Sequence, residues 1–494
     1  MNVMNVDKTK FFLWGFLAVV CFFFVSFFSD TTSPFYNYCY TTDSSVYMML
    51  GRAVVEGKLP YVDIWELKGP AIFYIEAWGY WLTYSKLGIF MIQVICLYIT
   101  FYFIYKTFRM EFSMGISILL VIFSCLSLGL NYQDGNLIEE YTLPLIAPSI
   151  YLLYKWSKNP LRNNIPWHNP YYAALYGIVL GFSLMTRLTD ALGICAAVMV
   201  IAIYLIIKRQ WINILQNVLA YLCGFVAVVI PFCIYFYAKG ALYEMWYGTF
   251  IFNLSYTAES STGGISDLSS LRGFLVAFLN SYTLFFVGLI VMLFNKNRRL
   301  AGIMWMTMGA FLFAWYIKSN GYGHYGMLAM PCLCLIINEL YLLGRETYAI
   351  KKIFAKTTLA LYMLIIVFFG IWGCHIQYQK RHNPFKEYTL FAEMLSKIPS
   401  QDRDKFIAYN LSPIIYEIGD LYPCYKYVGS QDWLMGMSKE QYGRIYEEFL
   451  TCRAKWILVA NPNDKFCVNI SPILSARYKP AYCWDGYVLY NLKD

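Results

Sequence analysis

Charge is scarce in this sequence. Of 494 residues only 14% are Asp, Glu, Lys or Arg against 59% hydrophobic, and the mean hydropathy is +0.47. A soluble domain of this length needs about a quarter of its residues charged to cover its surface. The shortfall excludes a soluble class. Also missing are Cys-x-x-Cys pairs and the Cys/His spacings of a metal site, although cysteines number fourteen. No basic, aromatic-laced stretch is present, so the formal charge of +9 does not signal nucleic acid. No repeat of roughly 20–50 residues and no low-complexity tract marks a solenoid or a disordered linker.

What fills the sequence is apolar runs. From Phe11 to Phe28 there is no charged residue, enough helix to cross about 30 Å of hydrocarbon. Similar runs recur through the first three quarters of the chain. Helices are the spanning element, because lipid offers the backbone no hydrogen-bond partner and the weak alternation of a barrel is absent. The fold class is therefore a polytopic α-helical membrane protein. Lys8 and Lys10 precede the first run, but its core exceeds a signal h-region. Ser26–Asp30 also lacks a small-x-small cleavage site, so the run reads as a retained anchor.

Basic clusters set the register. With the N-terminus inside, roughly eleven spans are expected: 11–28, 88–105, 113–130, 141–156, 171–186, 190–207, 214–237, 273–294, 301–317, 326–343 and 355–374. The stretch 70–84 is short and holds Glu76, so it is expected to lie at the interface as a juxtamembrane helix. Lys106/Arg109, Lys155/Lys158/Arg162, Lys208/Arg209, Lys296/Arg298/Arg299 and Arg345/Lys351/Lys352 then all fall inside, as the positive-inside rule requires. Counting 70–84 as a span reverses every cluster. Outside are a large first loop 29–87, then 131–140, the turn at Arg187–Thr189, 238–272, 318–325 and everything after about 375. A membrane domain 1–375 and a small extracytoplasmic α/β domain 376–494 are expected. The latter has strand-like runs at 405–409, 455–460 and 486–490 and a helix at 439–450. Cysteines inside the spans act as small apolar residues; Cys424, Cys452, Cys467 and Cys483 can pair if the C-terminal domain is exported.

The non-basic polar residues gather in the loops placed outside, where ionisable groups at span ends are functional candidates. Asp43 opens a helical pattern with Val46, Tyr47, Leu50 and Val54 on one face. Alone it reads as an N-cap, worth about 1 kcal/mol. The same loop adds Asp63, Glu66 and Lys68 beside Gly69-Pro70. Sugar transfer needs such a set: a carboxylate to take the proton of an acceptor hydroxyl, and a cation to offset charge on a leaving phosphate. Glu139 and Glu140 stand side by side at the mouth of a span, where like charges shift each other's pKa; the plain alternative is a solvated loop end. Arg187 either pairs with Asp190 or forks onto a lipid phosphate. His324, beside Tyr325, reads as a metal ligand, a phosphate contact or a plain interface residue. Asp63, Glu66 and His324 leave a divalent metal open, but their spacing does not show one. Trp246 and Tyr256 are candidates to stack on sugar, and 260–267, with Gly263-Gly264, has the composition of a flap.

Several of these elements together resemble a known family. They are Asp43, Pro60-Tyr61 with Asp63, Lys68-Gly69-Pro70, Asn136 with Glu139-Glu140-Tyr141 and Pro144, and Gly323-His324-Tyr325 ahead of Pro331. The set is similar to bacterial members of glycosyltransferase family 39, within the GT-C superfamily of protein O-mannosyltransferases and lipid A aminoarabinose transferases. It covers roughly residues 1–340. The resemblance implies many spans and a large first outer loop carrying a catalytic Asp. It implies an enzyme that passes a sugar, with inversion, from a polyprenyl-phosphate carrier to an envelope glycan, lipid or protein acceptor. The reaction would take place on the extracytoplasmic face of the bacterial cytoplasmic membrane. By position Asp43 would be the general base and Lys68 would face the carrier phosphate. Glu139 and Glu140, ranked equally, would line the acceptor or sugar pocket. Gly69-Pro70 replaces two prolines of the relatives, and Asp43-Ser44 replaces an Asp-Glu pair of the eukaryotic mannosyltransferases, which weakens any inference that the sugar is mannose or the acceptor a protein. The competing class is an envelope polysaccharide transporter, flippase or polymerase-type protein. Transporters place charge at mid-membrane in matched halves; this sequence does neither.

Overall fold

A computed structural model of the chain describes residues 3–36, 42–254, 275, 278–318, 322–345, 349–382, 386–460 and 469–493; Tyr256, the stretch 260–267 and Cys467 lie outside them. The helices follow the apolar runs. They are α1 (Val3–Phe28), α2 (Thr42–Val55), α3 (Pro70–Thr83), α4 (Lys86–Phe108), α5 (Met114–Gly129), α6 (Ile138–Lys158), α7 (Pro170–Leu184), α8 (Leu192–Ile207), α9 (Trp211–Ala238), α10 (Leu242–Trp246), α11 (Leu279–Phe294), α12 (Arg299–Lys318), α13 (Leu333–Leu343) and α14 (Ala349–His382). Among the described residues six stretches are long and apolar enough to cross a membrane, and α5, α7 and α11 are shorter apolar helices. The chain is a polytopic helical membrane protein with a small C-terminal sheet domain. α3 has 14 residues, a length of about 21 Å, well short of the roughly 30 Å of hydrocarbon a span must cross. It starts at Pro70 on an extended Gly69 and stops at Tyr84 in the left-handed region (φ 50°).

Contacts divide the chain into two compact units. The membrane unit comprises Met1–Ser29, Phe90–Ile234 and Thr262–Lys380; the loop-and-sheet unit comprises Asp30–Ile89, Tyr235–Ser261 and Arg381–Asp494.

In the membrane unit, close helix contacts rest on glycine. A Cβ on Gly177 of α7 would lie 1.9 Å from the Tyr221 carbonyl oxygen of α9, and one on Gly224 of α9 would lie 2.0 Å from the Ala174 carbonyl oxygen. Helices in lipid gain nothing from apolar exclusion, so small residues that let backbones approach supply the packing instead. At the end of the unit that holds the α6 C-terminus, charge is buried in pairs. Glu339, 1% exposed, pairs with Arg298 and accepts from the Trp305 indole N–H at 3.0 Å. Glu111 pairs with Lys158 and accepts from the Tyr154 hydroxyl at 2.8 Å.

The loop-and-sheet unit carries a four-stranded sheet in the order β3-β4-β6-β5, following a two-residue hairpin β1 (Leu161–Arg162) and β2 (Ile165–Pro166) in the membrane unit. β3 (Phe406–Tyr409) runs parallel to β4 (Trp456–Ala460); β6 (Tyr487–Leu492) is antiparallel to β4 and to β5 (Tyr478–Trp484). The expected strands at 405–409, 455–460 and 486–490 correspond to β3, β4 and β6. β5 is an addition: it holds Pro480 next to a register shift and is exposed along six of its seven residues, so neither alternation nor burial marks it. The unit's core joins Trp65, Phe252, Ile407, Tyr427 and Ile457. Trp65 crosses Phe252 at 5.1 Å between ring centroids and Tyr427 at 5.6 Å, and its N–H donates to the Lys426 carbonyl at 2.8 Å. The early loop therefore belongs to the same body as the sheet.

Gly177→Val drives a branched side chain into the Tyr221 carbonyl. Thermal unfolding of the purified protein in detergent should show a loss of about 2 kcal/mol or more, and Gly15→Val, which meets nothing within 4 Å, should show none.

Candidate functional site

In the loop-and-sheet unit, Asp43 sits in the first turn of α2 and is exposed. Since the helix already begins at Thr42, Asp43 lies inside it, where an acid complements the N-terminal dipole. The other end of α2 is fastened through Arg52. Its guanidinium pairs with Asp420, stands 3.7 Å from Glu417, donates to the Leu421 carbonyl at 3.0 Å and lies 4.8 Å over the Tyr422 ring.

Glu66 is the electrostatic centre of the early loop. Burial raises its carboxyl pKa; Lys68 pulls it down, Asp43 pushes it up, and the N–H groups of Leu67 and Lys68 donate to it. Lys68 and Asp43 thus both act on Glu66. The backbone that carries Glu66 and Lys68 is clamped. Tyr61, 1% exposed with φ 71°, donates its hydroxyl to the Lys68 carbonyl at 2.7 Å and meets the Thr249 hydroxyl at 3.1 Å. Asn253 donates to the Leu67 carbonyl at 2.7 Å. Asp63 is used differently: exposed, it accepts from the Leu59 N–H at 2.6 Å and closes a turn. Trp246 is half-buried, edge-on to Phe250.

In the membrane unit the two adjacent acids part company. Glu139, 1% exposed, pairs with Arg187 and stands 3.7 Å from His324 Nε2. Arg187 also donates through Nε to Asp190 at 2.7 Å, and its guanidinium lies 4.1 Å over the Tyr325 ring. Of the two readings given for Arg187, the pairing with Asp190 is present, and Glu139 joins it. His324 Nδ1 is 2.7 Å from Gln133 Oε1, a partner the sequence reading did not single out. Gln133 belongs to a tight loop in which Gln133, Asp134, Gly135 and Asn136 all have positive φ. A Cβ at Gly135 would meet Ser29 at 2.4 Å, so only glycine fits there.

Glu140 is consumed structurally. Its carboxylate accepts from the Leu137 N–H at 2.9 Å, from Gln93 at 2.7 Å and from the Tyr132 hydroxyl. That satisfies the start of α6 and ties it to α4. The equal ranking of the two acids therefore does not carry into the structure: Glu139 faces the charged cluster and Glu140 the packing. Among the described residues no group of three or more His, Cys, Asp or Glu comes together to hold a metal ion, so no donor set is assembled there for the divalent ion the sequence left open.

Residues 68–236 match the dolichyl-phosphate-mannose-protein mannosyltransferase family. No curated protein sequence matches the chain. In fold the chain is similar to the crystal structure of ArnT from Cupriavidus metallidurans bound to undecaprenyl phosphate, with a TM-score of 0.59 at 11% identity over 98% of each chain. Lys68, Glu139, Glu140 and Arg187 fall within the matched segment; Asp43 and His324 fall outside it.

The Arg52 lock makes a pH prediction. Burial outweighs the pull of Arg52 and of the Tyr80 hydrogen bond, and pushes the Glu417 carboxyl up to about 7. A folded pKa above the unfolded value of about 4.3 means the fold favours the protonated acid. Stability from this group is full below about 4.3 and is lost as pH rises through 7, by at most about 4 kcal/mol. Melting curves from pH 5 to 8 should fall with pH, and Glu417→Gln should flatten that slope.

Proposed function

We propose, from the premise that this chain is a membrane glycosyltransferase of the GT-C superfamily, that it moves a sugar from a polyprenyl-phosphate carrier to a hydroxyl of an envelope glycan, lipid or protein. The acceptor O–H gives its proton to Asp43, and the acceptor oxygen bonds to the sugar's anomeric carbon from the face opposite the carrier. The bond from that carbon to the phosphate oxygen breaks, and the electron pair leaves with polyprenyl phosphate, so the configuration inverts. Lys68 offsets the charge that develops on the leaving phosphate. Asp43 then returns its proton to solvent. In this reading the site and the sheet domain face the extracytoplasmic side of the bacterial cytoplasmic membrane.

The observation that carries the reading is that Lys68 and Asp43 both stand close enough to Glu66 to act on its carboxyl. An exposed acid, free to meet a substrate hydroxyl, stands in the field of a half-buried acid and a lysine whose backbone is clamped by Tyr61 and Asn253. In the membrane unit, Glu139 offers acceptor capacity for sugar hydroxyls. Arg187 is a positioning residue there, because two carboxylates already match its charge.

Purified protein given a radiolabelled polyprenyl-phosphate sugar and envelope acceptor should transfer label. Asp43→Asn should lower the rate about 10²-fold or more with an unchanged melting temperature and unchanged carrier binding. Normal transfer by Asp43→Asn removes the base assignment. Lys68→Ala should weaken both carrier binding and rate. An enzymatic reporter fused after Asn383 should be active outside the cell; activity inside reverses the topology.

A further inference from the structure

The loop that carries Glu66 and Lys68 is held residue by residue from one segment of the same unit, 247–253. Trp65 packs edge-on against Phe252 at 5.1 Å between ring centroids. The Glu66 backbone lies against Gly248, where a Cβ would come within 3.0 Å of the Glu66 carbonyl oxygen and 2.7 Å of the Tyr61 ring. The Leu67 carbonyl accepts from Asn253 Nδ2 at 2.7 Å. The Lys68 carbonyl accepts from the Tyr61 hydroxyl, which in turn meets the Thr249 hydroxyl at 3.1 Å. Four consecutive residues thus answer to Phe252, Gly248, Asn253 and, through Tyr61, Thr249.

The backbone of that segment is unusual. Tyr247–Ile251 forms a π-helical turn, in which the Phe252 N–H bonds the Tyr247 carbonyl five residues back. One residue more in the turn rotates whatever follows by about 100° relative to an α-helical continuation of α10. With that rotation Phe252 and Asn253, neighbours in sequence, both meet the Trp65–Leu67 stretch. Asn253 Nδ2 also donates to the Gly248 carbonyl at 3.2 Å and the Thr249 carbonyl at 3.0 Å. The amide is therefore fastened to the turn it follows as well as to the loop it holds. The turn is itself anchored to the helix Lys439–Thr451 of the sheet domain. There the Tyr247 hydroxyl donates to Gln441 Oε1 at 3.2 Å, and the Arg444 guanidinium lies 4.7 Å over the Tyr247 ring.

A lysine ammonium on its four-carbon stem is a mobile charge, so it meets a phosphate at a set place only when its backbone is fixed. We propose, on the reading that Lys68 offsets charge on the carrier phosphate, that the π-helical turn and Asn253 are the positioning element for Lys68. Asn253 sets the Leu67–Lys68 peptide, and Tyr61 with Thr249 sets the Lys68 carbonyl, so that the ammonium faces the phosphate of the polyprenyl carrier. Asn253 does not touch the carrier; it acts through Lys68. The sheet domain takes part in the same frame, since Gln441 and Arg444 hold the far side of the turn.

The test measures binding of a fluorescent polyprenyl phosphate, and of the matching uncharged polyprenol, to the purified full chain in lipid nanodiscs. Lys68→Ala should weaken phosphate binding about tenfold or more. Asn253→Ala should weaken it about fivefold, the scale of one neutral hydrogen bond, and leave polyprenol binding unchanged. Tyr61→Phe removes only the hydroxyl that holds the Lys68 carbonyl and should give a loss of similar size; it serves as the probe if Asn253→Ala does not fold. In a Lys68→Ala background each of these substitutions should cost about twofold or less, because a residue that acts through another has nothing left to position. A full fivefold loss on top of Lys68→Ala, an equal weakening of polyprenol binding, or no loss with either substitution overturns the positioning role and leaves Lys68 in place. Unchanged phosphate binding by Lys68→Ala alone removes the Lys68 assignment and the positioning role with it.

Discussion

A bundle in lipid can bury a carboxylate only when a cation or a full set of donors is held against it, and this requirement organises the membrane unit. An unpaired charge in a medium of low dielectric costs several kcal/mol. Each acid buried there is answered: Glu139 and Asp190 by one Arg187, Glu339 by Arg298, Glu111 by Lys158 and Asp134 by Lys380. Glu140 is answered by neutral donors instead. The pairs fix helix ends against one another more tightly than apolar contact does, since lipid competes with any apolar surface. Glycine at Gly177 and Gly224 brings the backbones close, and the ion pairs set where along their axes the helices stop.

The same economy of charge runs differently where solvent is present. In the loop-and-sheet unit Asp43 is exposed and, solvated, needs no structural counter-ion. Its orientation is secured from a distance, by Arg52 one helix-length away on Glu417, Asp420 and Tyr422. Glu66 sits between these extremes: partly exposed, yet desolvated enough for its pKa to rise. A partly desolvated acid flanked by a lysine and an exposed acid is an arrangement in which moving one proton changes the field felt by the others.

Much of the fold was legible because it follows from length and polarity alone. Apolar runs must become helices in lipid, and the short 70–84 stretch with Glu76 could not have crossed. β3 and β4 are legible as buried apolar runs, and β6 as a short apolar run after the turn at Asp485-Gly486. β5 was not, since Pro480 and its exposed face erase the signal. Nor could sequence pair Trp65 with Tyr427 or Arg52 with Glu417, contacts between segments more than 350 positions apart. Glu339 carried a signal that was passed over: an acid inside an apolar run demands a partner, and Arg298 supplies it.

The division between Glu139 and Glu140 shows where residue type stops being informative. Both are Glu, adjacent, buried and at the start of one helix. One residue along an α-helix is a turn of about 100°, so the two side chains leave the axis in different directions and meet different neighbours. Glu140 meets Gln93 and Tyr132, whose donors occupy its oxygens. Glu139 meets Arg187 and His324, and an ion-paired carboxylate has about four lone-pair sites, of which a single guanidinium cannot use all. Glu139 keeps acceptor capacity beyond its ion pair, whereas that of Glu140 is already committed to holding α6 in place.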